Sequence, residues 1–171
     1  MSKNSLRFYV YQQRLVGSVG TLHVNMPAVS GGARGSVQKG RPEYTLASFN
    51  PRRASEFDKK KDTGTRGGSL PPGIWTVLPS SRYKGSIGGK PLPLEPSAEI
   101  RQEYAERDYD KKPFLIHGTG DYGSDGCIVI TADHRNKLIK AVDKEGLALL
   151  TVIYEWDDEM QRRFVQATAM A

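Results

Sequence analysis

Two side chains in the sequence suit covalent catalysis at a spacing that can bring them together. His117 closes the apolar run Pro113-Phe114-Leu115-Ile116, and Cys127, the only cysteine, follows ten residues later. Between them lies Gly118-Thr119-Gly120-Asp121-Tyr122-Gly123-Ser124-Asp125-Gly126, whose glycines let the chain double back. A free thiol, with a pKa of roughly 8.5, is only slightly ionised at neutral pH. An imidazole beside it can take its proton and later return that proton to a leaving amine. Gly126 permits close approach of backbone to substrate, and amides near Gly126 and Cys127 can face a developing oxyanion. The imidazole needs an orienting acceptor, for which the Gly118 carbonyl and Ser124 are the candidates. Taken singly, Cys127 reads as a small core residue at a strand start, His117 as a core histidine, and Ser124 and Asp125 as turn residues. The pair, with a glycine on the inner flank of each member, points instead to a site.

Strands must position this pair. Phe114–His117 reads as a short buried strand and Cys127-Ile128-Val129-Ile130 as the start of the next element. Thr131 is a good helix N-cap with Asp133 in the first turn, which predicts a helix to about Glu145, stopped at Gly146. Its Leu138/Val142 stripe, with Ile139 beside it, faces a core. Residues 147–154 read as a central strand. Earlier in the chain, Leu6–Tyr11 and Leu15–Val24 supply two or three strands, the second run broken at its glycines. Ser30–Gly35 reads as a flexible turn. Tyr44–Phe49 is a short apolar stretch, and 52–69 reads as a mobile basic loop. Leu70-Pro71-Pro72-Gly73 is a rigid turn into the core strand Ile74–Leu78. The Pro/Gly-rich stretch 79–97 reads as a lid loop without regular structure, and 98–107 as a short helix. The whole predicts one mainly β domain with short helices over 1–171, ending in a tail at 157–171.

Composition bounds the function. The chain has 171 residues, 37% hydrophobic and 26% charged, enough for one core. No apolar run is long enough for a membrane-spanning helix, and the N-terminal residues lack the pattern of a secretory signal. A single cysteine excludes a disulfide framework and a multi-cysteine metal site. The acidic run Glu155, Asp157, Asp158 and Glu159 lacks metal-ligand spacing, so neither metal nor cofactor is expected. The net charge of +6 is concentrated in Arg34–Arg53 and Lys59–Arg66 and would attract a polyanion. No nucleic-acid-binding motif accompanies it.

The run His117-Gly118, a glycine-rich turn, then Ser124-Asp125-Gly126-Cys127-Ile128 resembles the active-site signature of L,D-transpeptidases. That resemblance implies a mixed β-sheet sandwich with one helix after the cysteine. It also implies a peptidoglycan enzyme whose cysteine attacks the carbonyl of the third stem-peptide residue, commonly meso-diaminopimelate, and expels the terminal D-Ala. By position, Cys127 would be the nucleophile, His117 the base, and Ser124, Gly126 and Gly118 the supporting turn. Asp121, Tyr122 and Asp125 would line the cleft. Two departures stand out: the His-to-Cys insertion is short, and Val129 stands where the family carries an arginine. Both are similar to the compact L,D-transpeptidase-like effectors of type VI secretion systems. The resemblance to that branch extends to Ser30-Gly31, Asn50-Pro51 and Pro71-Pro72-Gly73-Ile74-Trp75. It implies a toxin made without a signal peptide, carried by secretion machinery to a target cell's periplasm and matched by an immunity protein. It would act as an L,D-carboxypeptidase or exchange the terminal D-Ala for a free D-amino acid. The alternatives are a cysteine amidase or endopeptidase cutting elsewhere in the stem, and a non-catalytic binder of cell wall or polyanion. His23, His134, Arg82, Tyr83 and Lys84 read as strand or surface residues.

Overall fold

The computed structural model describes residues 4–32, 49–51, 67–85, 89–105, 107–118, 124, 126–156 and 158. Among these, nine strands form one sheet: β1 (Asn4–Tyr9), β2 (Arg14–Val19), β3 (Leu22–Pro27), β4 (Val29–Ser30), β5 (Gly73–Val77), β6 (Leu92–Pro96), β7 (Phe114–His117), β8 (Ile128–Val129) and β9 (Ala148–Ile153). Two α-helices, α1 (Ala98–Glu103) and α2 (Ala132–Glu145), and a 3₁₀ turn at Ser80–Arg82 complete the described elements. None of these helices is long and apolar enough to cross a membrane. The mainly β fold with short helices, one of them following the cysteine, is the fold class expected from the sequence.

The strand order is β3-β2-β1-β9-β5-β6-β7-β8-β4. Its two edge strands, β3 and β4, are neighbours in sequence, separated only by Ala28. A flat sheet of nine strands at about 4.8 Å spacing would hold its edges tens of ångströms apart. One residue spans less than 4 Å, so the sheet must curl until its edges meet. Ala28 is buried at this join, and its N–H donates to the Gln13 carbonyl at 3.0 Å.

The curled sheet encloses the core. Leu6, Phe8, Leu15, Trp75, Leu92, Leu94, Phe114, Ile116, Ile128 and Leu150 are all essentially inaccessible. Trp75, Tyr109 and Phe114 meet edge to face, and the Trp75 indole N–H donates to the Pro71 carbonyl at 3.0 Å. Strand β9 lies between β1, to which it is parallel, and β5, to which it is antiparallel, as a central strand should. Helix α2 begins at Thr131, whose hydroxyl accepts the His134 N–H, and stops at Gly146. It buries Leu138, Ile139 and Val142, the stripe read from the sequence.

Several expectations are corrected. Residues 92–96 are an interior strand of the sheet rather than part of a lid, and the prolines explain why this was hidden. Pro93 lies opposite Leu78 and still accepts the Leu78 N–H at 2.9 Å. Only the reciprocal bond is lost there. Pro96 lies beyond the point where β7 begins, so its missing N–H faces no β7 partner. Upstream of β6, the Ser80 hydroxyl and amide both bond to the Asp143 carboxylate, at 2.7 and 2.8 Å, tying this turn to α2. Ser30 and Gly31 are not a flexible turn but a buried strand end. Residues 67–69, read as the end of a mobile loop, are buried too, whereas 52–66 fall outside the described residues, as do 44–48 and most of the tail. Gly17 does not interrupt β2. It permits a close approach, because a side chain there would run into the Ser5 carbonyl of β1. Helix α1 ends at Glu103, four residues earlier than expected.

Candidate active site

Strands β7 and β8 are parallel neighbours, with Ile116 opposite Ile128 and His117 opposite Val129. Parallel strands normally need a long return connection. Here both strands are so short that the segment 118–127 suffices. Along them Phe114, Ile116, Ile128 and Ile130 join the core, so the alternate residues His117 and Val129 face the other way. Cys127 immediately precedes β8, the strand beside the one that His117 ends. It falls beside Leu115, two residues before the histidine. Cys127 is half-buried, packs against the rim of the core and forms no disulfide. The Ile130 N–H donates to the His117 carbonyl at 3.0 Å and fixes the strand pair at its open end.

A buried set of serines holds the cysteine turn. The Ser124 hydroxyl donates to the Cys127 carbonyl at 2.6 Å and accepts the Gly31 N–H at 2.9 Å. The Ser124 amide donates to the Gly31 carbonyl at 2.9 Å. The Ser30 hydroxyl donates to the Gly126 carbonyl at 3.0 Å and accepts the Leu70 N–H at 2.9 Å. The Ser69 hydroxyl closes the set on the Ser30 carbonyl at 2.7 Å. Gly126 itself has φ +104°, a conformation that a side chain would strain. The join between β3 and β4 therefore delivers Ser30 and Gly31 directly to the residues flanking Cys127.

His117 is oriented by its own turn. Its Nδ1 lies 2.7 Å from the Gly118 carbonyl oxygen. A carbonyl can only accept, so Nδ1 carries the proton and Nε2 is left as the basic nitrogen. Of the two orienting partners expected, the structure supplies Gly118, while Ser124 is engaged with the cysteine turn. Burial pushes the imidazole below its ordinary pKa; the Gly118 hydrogen bond opposes this and the Arg135 charge adds to it. The histidine is accordingly neutral at neutral pH, as a general base must be.

Arg135 was missed in the sequence. It belongs to the first turns of α2, and its guanidinium reaches back over the β7 turn. A Cβ placed on Gly118 would collide with Nη1 and stand 3.2 Å from Cζ. On Gly89 it would stand 2.6 Å from Nη1. The signal was present in the helix start at Thr131 and the run Asp133-His134-Arg135, but only the packing of α2 against β7 shows where Arg135 points.

The remaining expected site residues divide. Gly118 bonds to His117, whereas Ser124, Gly126 and Cys127 form one turn fastened to Ser30 and Gly31. Asp121, Tyr122 and Asp125 lie outside the described residues. His23 is exposed on β3. Arg82, the last residue of the 3₁₀ turn, and Lys84, just beyond it, are exposed.

No protein-family model matches the chain, and no curated protein matches it. Among solved structures, the L,D-transpeptidase of Xylanimonas cellulosilytica is similar over 89% of this chain and 61% of its own, with 12% identity and a TM-score of 0.47. The Bdellovibrio bacteriovorus protein Bd1075 is similar over 99% of this chain and 55% of its own, with 15% identity and a TM-score of 0.48. The chain thus spans less than two thirds of either structure's length.

Proposed function

We propose that the chain is a cysteine acyltransferase acting on peptidoglycan tetrapeptide stems, which removes the terminal D-Ala or exchanges it for a free D-amino acid. The observation that carries this is the His117 tautomer. With Nδ1–H held by the Gly118 carbonyl, Nε2 is left as the base, and His117 ends the strand next to the one that Cys127 leads into.

In the first half-reaction, Nε2 takes the thiol proton and Sγ attacks the carbonyl carbon. The resulting oxyanion is met by the Gly126 amide. The C–N bond breaks as the imidazolium returns the proton to the leaving amine, leaving a thioester. In the second, water or the amine of a D-amino acid attacks the thioester. His117 accepts the incoming proton, the C–S bond breaks and the thiol is restored. The stem-peptide substrate, and a role as an antibacterial toxin delivered to a neighbour's periplasm and matched by an immunity protein, rest on the resemblance of the His117–Ile128 run and its short spacing.

The test is mass spectrometry of tetrapeptide muropeptides incubated with the protein, with and without a free D-amino acid, beside Cys127→Ala. Loss or replacement of only the terminal D-Ala, abolished in the variant, is expected. A cut between the second and third stem residues would make the chain an amidase. Unchanged muropeptides, with Cys127 alkylating no faster than a model thiol, would make it a binding module.

A further inference from the structure

We propose that Arg135 recognises a free α-carboxylate on the residue that leaves or enters at the thioester, which confines the site to the C-terminal end of a peptide. The proposal rests on the acyl-transfer reading above and adds the chemical class of the leaving group.

Three observations support it. First, the guanidinium occupies a notch between Gly118 and Gly89, where neither residue has a Cβ to exclude it, and Gly118 is the residue that orients His117. Second, Arg135 is half-buried, and among the described residues no carboxylate pairs with it; its Nε is buried without a hydrogen-bond partner. A half-buried guanidinium with a buried, unsatisfied N–H and no counter-ion is poised for one. Third, the chemistry of the reaction fixes where a carboxylate must fall. His117 delivers its proton to the leaving nitrogen from about 3 Å. In a leaving amino acid the carboxylate carbon stands about 2.5 Å from that nitrogen, across one Cα. The carboxylate is therefore within a few ångströms of the imidazole, on the side of the amine. Arg135 lies against Gly118, the residue next to that histidine, and its charge reaches the imidazole.

The same contact has an electrostatic consequence. An unpaired Arg135 disfavours the imidazolium that the acid step requires. A bound carboxylate offsets that charge and lets His117 hold its proton until the amine departs. A peptide continued beyond the scissile bond, or ended as an amide, supplies no such anion. In exchange, the entering D-amino acid presents its amine and carboxylate in the same arrangement, so one residue serves both half-reactions.

Two measurements on the full chain separate this proposal from the reaction it builds on. The imidazole of His117 is titrated by NMR in the Cys127→Ala protein, alone and with D-alanine or D-alaninamide. D-Alanine should raise the midpoint and D-alaninamide should not. With Arg135→Gln added, the midpoint should already be raised and should ignore both. In turnover by the protein with Cys127 intact, a tetrapeptide with a free C-terminus should exceed its C-terminal amide in kcat/KM by ~10- to 100-fold, the range for a hydrogen bond to a charged group. Arg135→Gln should bring that ratio near one and Arg135→Lys should keep part of it. The lysine variant also serves if the glutamine protein melts early. An imidazole that ignores D-alanine, or an Arg135→Gln protein that responds as its parent does, overturns the proposal even if the enzyme turns over. A response to D-alanine without turnover of either peptide upholds the carboxylate site and removes the acyl-transfer reading.

Discussion

At the residue scale, the site depends on the charge of one imidazole. Burial lowers the His117 pKa from its ordinary value of 6.5. In the unfolded chain the same group titrates near 6.5. Between the two values the unfolded chain binds the proton and the folded one does not, so stability rises with pH across that window. Above 6.5 neither state is protonated and the contribution is flat. As pH falls below 6.5, the unfolded chain is favoured first. The melting temperature should therefore decline on acidification from pH 6.5, and His117→Asn should flatten that part of the curve. The acid limb of kcat/KM should likewise lie below pH 6.5, because the free enzyme needs Nε2 unprotonated. An acid limb centred above 6.5 would mean that another group supplies the base. Arg135→Gln should move the limb upward, since it removes a positive charge from beside the ring.

At the element scale, two short strands hold the cysteine turn through hydroxyls rather than through a long ladder. Strands β4 and β8 are two residues each, and Ser124 and Ser30 supply bonds that the ladder lacks. Ser124→Ala would leave the buried Gly31 N–H without its acceptor and remove the hydrogen bond to the Cys127 carbonyl. The buried N–H alone costs about 1–3 kcal/mol when orphaned. A lowered melting temperature and a fall in kcat with a smaller change in KM are expected, because Cys127 loses its placement more than the substrate loses contacts. Equal stability of the two proteins, measured by urea unfolding, would show that the turn is held elsewhere. Such cross-chain bonds are invisible in a sequence. Local signals were legible: the Thr131 cap, the Gly146 stop, the β-forming runs and the His117-to-Cys127 spacing all act within a few residues. Strand β6 was not, because Pro91, Pro93 and Pro96 signal a loop unless the register of both neighbours is known. Ser30, Ser69 and Arg135 were not, because their partners lie tens of residues away or their direction is set by helix packing.

At the scale of the whole molecule, the site sits at the seam where the sheet closes on itself. Strands β7, β8 and β4 form one end of the strand order, and Ala28 joins β4 to β3 at the other. The cysteine turn is thus fastened from two directions: along the sheet through β7, and around the curl through β3 and the Ser30–Gly31 contacts. The center of the order, β1-β9-β5, is long and fully paired, and does not depend on that join. Stability should accordingly be uneven, lowest at the seam and highest at β9. Ala28 is 1% exposed and belongs to the core. Ala28→Leu overpacks it, at a cost of about 1–3 kcal/mol. If the seam is the weak point, amide hydrogen exchange should accelerate at Gly31, Ser124 and Ile130 well before Phe8, Leu150 and Val152, and activity should fall while the β9 amides remain protected. Uniform acceleration would mean that the sheet opens as one unit. In that case the placement of Cys127 would be inseparable from global folding, and the curl would hold the whole core rather than the site alone.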